Sequence, residues 1–108
     1  MKVLLHPAPE DIHLSAVLYA LSDPLRLMII AKLKAAEECS CGDFDLPIAK
    51  STLSHHIRTL REAGVVNVRS CGTLRLISLR SADLEGRFPG LLASILHAYE
   101  SSASKNSP

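Results

Sequence analysis

Tryptophan is absent from this 108-residue sequence, and two tyrosines and two phenylalanines are its only other large aromatic residues. Hydrophobic residues still make up 47% of the chain, so the core must be aliphatic, which suits packed helices. The length is that of one ordinary domain. Because so small a domain buries a limited fraction of its surface, association with a second copy is an expected source of stability.

Long apolar runs are also missing. None approaches the roughly 18–20 residues needed to span a bilayer, and the apolar stretch after Met1 is too short for a secretory signal peptide. We therefore expect a cytoplasmic protein that does not bind membranes. Three cysteines are an odd number, so Cys39, Cys41 and Cys71 predict free thiols in a reducing compartment rather than a disulfide framework.

Strong net charge is lacking too, since the total is only +1. The distribution is uneven, however: residues 50–80 carry six basic side chains against Glu62 alone, a net charge of +5, and both flanking parts are net negative. A contiguous basic stretch indicates an anionic partner more reliably than the total charge does.

Helical spacing and capping residues divide the chain into predicted elements. Ser22-Asp23-Pro24 is the strongest helix start, because Asp23 can accept hydrogen bonds from free backbone N–H groups and Pro24 has no N–H to lose. Gly72 suits the tight turn of a hairpin. We predict helices over about 11–21 and 24–37, a short helix within 39–47, a helix from 51 or 52 to 63, strands over 65–69 and 74–79, and a helix from 88 or 89 to 100.

This order, α-α-α-α-β-β-α, defines a fold that is mainly α with a small β-hairpin. We predict an extended N-terminal arm over residues 1–9, one domain over 10–100 and a disordered tail over 101–108, because the last eight residues are small and polar.

The helix over 51–63 carries the functional signal. Its spacing places Leu53, His56, Ile57 and Leu60 on one face, so we interpret His56 as a partly buried structural residue. Short hydroxyls, a histidine and an arginine lie on the other face. A short helix followed by such a helix and a hairpin is typical of a winged helix-turn-helix, in which the second helix enters the DNA major groove. The predicted DNA-binding residues are Lys50, Ser51, Thr52, Ser54, His55, Arg58, Arg69 and Arg75.

The segments 22–26 (SDPLR), 51–66 (STLSHHIRTLREAGVV) and 72–79 resemble the ArsR (ArsR/SmtB) family of winged helix-turn-helix repressors, and the resemblance covers roughly residues 12–99. It implies a homodimer that binds a palindromic operator and represses transcription. It also implies that the first and last helices form the dimer interface, which we place at Leu14, Val17, Leu18, Leu92, Ile95, Leu96 and Tyr99.

The family resemblance also implies that a metal ion, a metalloid or a redox change relieves repression. Cys39 and Cys41 are the candidate ligands, because thiolates suit soft ions and the pair precedes the DNA-reading helix. The family's third arsenic ligand has no equivalent, since Phe44 stands nearby instead. Structural thiols and a redox switch are the alternatives. His97 and Glu100, at i and i+3, are a second candidate metal pair. No cofactor is required.

Two other classes of function compete with this interpretation. A winged helix that binds an acidic protein partner, without effector sensing, would also explain the basic stretch. An enzyme is not expected, because the sequence shows no Ser/His/Asp or Cys/His arrangement with a supporting Gly-rich turn and no paired carboxylates.

Overall fold

The second helix begins where the sequence predicts. In the computed structural model, which describes residues 4–105, the Asp23 carboxylate accepts from the backbone N–H groups of Leu25 at 2.8 Å and Arg26 at 3.2 Å. Pro24 occupies the first turn. Burial alone would raise the pKa of Asp23, but the bonds from the Arg26 and Leu25 N–H groups lower it overall. This cap fixes the start of a 13-residue helix.

Five α-helices and three strands make up the described chain. They are α1 (Leu14–Ala20), α2 (Pro24–Ala36), β1 (Glu38–Ser40), α3 (Lys50–Glu62), β2 (Val66–Cys71), β3 (Leu74–Leu79), α4 (Ser81–Arg87) and α5 (Leu91–Lys105). Short 3-10 turns occupy Pro9–Asp11 and Cys41–Phe44.

The predicted hairpin is present, and it belongs to a three-stranded antiparallel sheet in the order β1-β3-β2. In the hairpin Val68 is opposite Ile77 and Ser70 is opposite Arg75. Val68 and Ile77 are buried, so Arg75 lies on the same, inward face of the sheet, two residues from Ile77. Arg69, one residue from Val68, lies on the opposite face.

Four details of the predicted element order are wrong. The short helix within 39–47 is only a four-residue 3-10 turn, strand β1 and helix α4 were not predicted, and the first helix begins at Leu14 rather than near Asp11. Helix α5 continues to Lys105 and so extends into the predicted tail over 101–105. Residues 1–3 of the predicted arm and 106–108 of the predicted tail lie outside the described residues.

The aliphatic core is confirmed, and it holds α3 in place. Leu53, Ile57 and Leu60 on α3 are buried in one cluster with Ile29 and Ile77. The turn after α3 depends on Gly64, whose φ of +88° disfavours other residues. A Cβ there would lie 2.6 Å from Cγ1 of Ile12, so the absence of a side chain lets the chain before α1 pack closely.

Within residues 4–105, no single helix is both long and apolar enough to cross a membrane. The helices α1 and α2 satisfy that test of length and composition only as a pair, and they meet at a bend of 99°.

Candidate nucleic-acid interface

Helix α3 presents two distinct faces. Leu53, His56, Ile57 and Leu60 are buried, as predicted from the helical spacing. The opposite side of the helix is open to solvent, and the exposed residues include Lys50, Ser51, Thr52, Ser54, His55 and Arg58. The structure therefore leaves every residue that the sequence assigned to DNA on this helix free to contact a partner.

A buried polar network ties α3 to the two preceding helices. Arg26 is only 6% exposed and His56 only 8%, and Nη1 of Arg26 lies 3.2 Å from Nδ1 of His56. Because a guanidinium can only donate, Nδ1 of His56 must accept. Arg26 also donates to the carbonyl oxygens of Ala20 at 2.6 Å and Tyr19 at 3.4 Å. His56 therefore orients α3 as well as filling the core, which sequence spacing alone did not predict.

The hairpin places its two predicted DNA-binding arginines on opposite faces. Arg75 points to the side on which α3 lies, whereas Arg69 forms a two-pronged ion pair with Glu38 across β3, at 2.9 and 3.0 Å. The pairing with Arg69 lowers the pKa of Glu38. Arg75 is therefore the better placed of the two to act together with α3.

A cleft of about 210 Å³ separates α3 from the hairpin. Ser54, Arg58 and Arg61 line it from α3, and Arg75 lines it from β3. Ser54, Arg58 and Arg61 follow one another at i, i+4 and i+7, which places them along one side of the helix. Arg61 was not among the predicted DNA-binding residues, although this spacing could have shown it.

The N-terminal arm packs along the outer edge of β2. Arg61 donates to the Leu5 carbonyl, and the Val68 N–H donates to Nε2 of His6 at 3.0 Å. Nδ1 of His6 lies 3.1 Å from the Leu4 carbonyl, so His6 carries its proton on Nδ1. Burial lowers the pKa of His6 from its ordinary 6.5, and the positive charges of Arg61 and Arg80 add to this effect.

Within the part of the chain that the structure describes, the cysteines do not form a complete metal site with other residues. Cys39 is buried, Cys41 half-buried and Cys71 exposed at the end of β2. Burial raises the pKa of both Cys39 and Cys41. Across residues 4–105, no cluster of three or more His, Cys, Asp or Glu side chains is placed to hold a metal ion. A third protein ligand for a soft ion at Cys39 and Cys41 would thus have to come from outside residues 4–105.

Two of the predicted interface residues are buried within the single chain. Val17 and Leu96 are each 1% exposed, because they fill the core between helices and have no surface to offer a partner. The other positions keep some exposure: Leu14 and Leu18 are exposed, and Leu92, Ile95 and Tyr99 are half-buried. Leu18, Ile95 and Tyr99 line an apolar groove between α1 and α5, and the exposed Tyr19 was not predicted.

A helix with an outward polar face, held on a small core and followed by a hairpin that flanks it, defines a winged helix-turn-helix protein. The family model described as "Helix-turn-helix domain" matches residues 21–69. The chain is 39% identical over 79 residues to the HTH-type transcriptional regulator YceK of Bacillus subtilis, covering 70% of this chain and 79% of that protein.

The arsenical resistance operon repressor of Staphylococcus xylosus is 34% identical over 73 residues, which are 67% of this chain and 70% of that protein. The chain therefore belongs to the ArsR family of winged helix-turn-helix transcriptional regulators. The fold is also similar to that of the transcriptional repressor BigR from Xylella fastidiosa, with a TM-score of 0.60, 24% identity and coverage of 87% and 86% of the two chains.

Proposed function

We propose that this protein is a transcriptional repressor that binds a palindromic operator as a symmetric homodimer. Two copies of α3, related by the two-fold axis, enter successive major grooves about one helical turn apart. Bound there, the dimer blocks transcription of the genes it controls.

The exposed face of α3 carries this proposal. Ser51 and Ser54 have short hydroxyl side chains that let the helix backbone approach base edges and phosphates closely, and Arg58 has a guanidinium whose geometry matches guanine. The buried opposite face and the bond between Arg26 and His56 hold the helix rigidly on the domain. A preorganised polar face of this kind suits DNA recognition, and the family relationship supports the same function.

Gel retardation at about 50 mM salt, where phosphate-driven binding is strong, tests DNA binding directly. We expect sheared genomic DNA to be retarded and an operator duplex to be recoverable by selection from a random pool. Absence of any retarded band would contradict the proposal and favour the alternative, a winged helix that binds an acidic protein.

Arg58→Ala tests whether α3 reads sequence. If Arg58 contacts a base, its loss should weaken binding to the selected duplex by ~1–3 kcal/mol and have a smaller effect on random duplexes. Arg69→Ala is the comparison, because it removes a charge from the opposite face of the hairpin and any loss of affinity it causes should be equal on the two duplexes. Equal losses for Arg58→Ala on both duplexes would mean that Arg58 contacts only phosphate.

We propose the dimer because α1 and the groove between α1 and α5 leave apolar surface exposed to solvent. Leu14, Leu18 and Tyr19 are 46%, 47% and 66% exposed, and Leu18 borders the apolar groove. Large exposed side chains on one helix, continuous with such a groove, are typical of a surface that a partner covers. A second copy would also supply the two-fold symmetry that a palindromic operator requires.

A further inference from the structure

The cleft between α3 and the hairpin is a basic surface. The sequence predicted only some of the residues that line it as DNA-binding residues, and it did not predict the cleft itself. Arg58 and Arg61 enter it from the helix and Arg75 from the sheet. No carboxylate belongs to the described residues that line it. Two arginines outside the cleft are neutralised: Arg69 pairs with Glu38 and Arg80 with Asp83. Three like charges around one concavity repel each other, so an anion bound among them is favoured.

The floor of the cleft strengthens this attraction. Ile57, Val68 and Ile77 line it with buried apolar side chains, and Leu4 of the arm adds a further apolar wall. Charges beside apolar walls are less screened than charges in open water, so an ion pair formed here is stronger than one on a flat surface. The Ser54 hydroxyl at the same site can donate one more hydrogen bond to an oxyanion.

Arg61 is held in position before any partner arrives. One of its N–H groups donates to the Leu5 carbonyl, so within residues 4–105 four of the five guanidinium donors remain available. This bond reduces the rotamer entropy that Arg61 would otherwise lose on binding. The arm therefore orients Arg61 toward the cleft without neutralising its charge.

We propose that this cleft binds one phosphodiester group of the DNA backbone, shared by Arg61 on α3 and Arg75 on β3. The inference rests on the proposed function, and it adds a positioning contact that fixes the helix and the hairpin on the same strand. A shared phosphate is expected because the two guanidiniums line one concavity from opposite walls and guanidinium forks bind phosphate oxygens bidentately. The contact carries no sequence information of its own.

A methylphosphonate scan tests the proposal on a short duplex selected by the wild-type protein from a random pool. Each duplex in the scan replaces one charged phosphate with a neutral methylphosphonate. We expect wild type to bind about tenfold more weakly when the methylphosphonate stands at one particular position in either half-site. Arg61→Gln and Arg75→Gln should each bind the unmodified duplex about tenfold more weakly, and both should become insensitive to methylphosphonate at that same position.

The variants separate binding from folding. Arg61→Gln removes the charge and keeps a side-chain N–H donor, but that N–H stands two bonds nearer the backbone than the Nη1 that donates to the Leu5 carbonyl. Arg69→Gln should keep full sensitivity at the scanned position, because Arg69 faces away from the cleft. Thermal unfolding curves that match wild type would show that each variant is folded.

The outcomes distinguish a failure of the shared phosphate contact from a failure of the proposed function. If wild type selects no duplex, the proposed function is wrong. Suppose that wild type binds but Arg61→Gln stays sensitive at every position at which wild type is sensitive, or that Arg61→Gln and Arg75→Gln become insensitive at different positions. In either case the proposal of a shared phosphate is wrong, and the proposal of DNA binding stands.

Discussion

His56 shows how one buried side chain can serve both stability and recognition. Its Nδ1 accepts from Arg26, a buried cation whose guanidinium also donates to carbonyl oxygens at the end of α1. Replacing His56 with leucine fills the space but removes the acceptor. Because a buried donor left without a partner is costly, we expect His56→Leu to lower the free energy of unfolding by about 1–3 kcal/mol.

His56→Asn is the conservative comparison, because its side-chain oxygen can stand near the position of Nδ1 and accept from Arg26. Chemical denaturation should find His56→Asn closer to wild type than His56→Leu. Equal destabilisation by the two substitutions would indicate that only the volume of His56 matters and that its bond to Arg26 contributes nothing.

His6 predicts a pH dependence of stability. Nε2 of His6 accepts a hydrogen bond from the Val68 N–H, so a proton on Nε2 would bring two N–H donors face to face. The positive charges of Arg61 and Arg80 would also repel the protonated ring. The pKa of His6 is therefore lower in the folded chain than its ordinary 6.5. Below pH 6.5 the unfolded chain binds more protons than the folded chain, so stability is complete above 6.5 and is lost as the pH falls through the folded pKa.

Urea denaturation measured across this pH range tests the expectation. His6→Gln keeps an acceptor for the Val68 N–H but does not titrate, so its stability curve should be flatter than that of wild type on the acid side. Parallel curves for the two proteins would exclude His6 as the source of the pH dependence.

Among the elements, those that depend on local signals were predictable and those that depend on distant pairing were not. The start of α2 follows from Asp23 and Pro24, and the faces of α3 follow from helical spacing. Strand β1 has only three residues, and its partner β3 is almost 40 residues away, so no local pattern marks it. Gly86 lies inside α4, where a poor helix former conceals the helix.

The site was predictable to a similar degree. The polar face of α3 follows from spacing alone. The separation of Arg69 from Arg75 needs the strand register, and the burial of Val17 and Leu96 needs the packing of α1 and α5 on the rest of the core. Sequence periodicity identifies an apolar face, but it does not distinguish the part of that face that reaches the core from the part that remains exposed.

The cysteine pair at the end of β1 remains a candidate soft-ion site. Cys41 also lines the cleft beside Arg75, so an ion held there would lie next to the proposed phosphate contact. Because burial raises the pKa of both thiols and the thiolate is the ligand, binding should strengthen as the pH rises.

Cadmium titration followed by thiolate-to-metal absorption is the measurement. The Cys39→Ser, Cys41→Ser double variant should lose the signal, and Cys71→Ser, which alters the exposed thiol, should retain it. A double variant that still binds cadmium, or that releases DNA in response to every ion as wild type does, would exclude this pair as the sensor.

For the whole molecule, the proposed dimer through α1 and α5 would set the spacing of the two α3 helices on DNA. Each monomer presents one α3, and the half-sites of a palindrome can be contacted together only by two chains with a fixed spacing. If Leu18 lies in that interface, Leu18→Glu buries an unpaired charge on association and should convert the dimer to monomers. Loss of the dimer should also weaken operator binding, because each chain would then hold only one half-site.

Leu74→Glu provides the matched control, since Leu74 is 55% exposed and Leu18 is 47% exposed, and Leu74 lies on the hairpin, away from α1 and α5. Sedimentation velocity should give the mass of two chains for wild type and Leu74→Glu, and the mass of one chain for Leu18→Glu. A wild type that sediments as a monomer would contradict the dimer and leave the spacing of two α3 helices without a physical basis. A Leu18→Glu variant that stays dimeric would place the two-fold axis elsewhere.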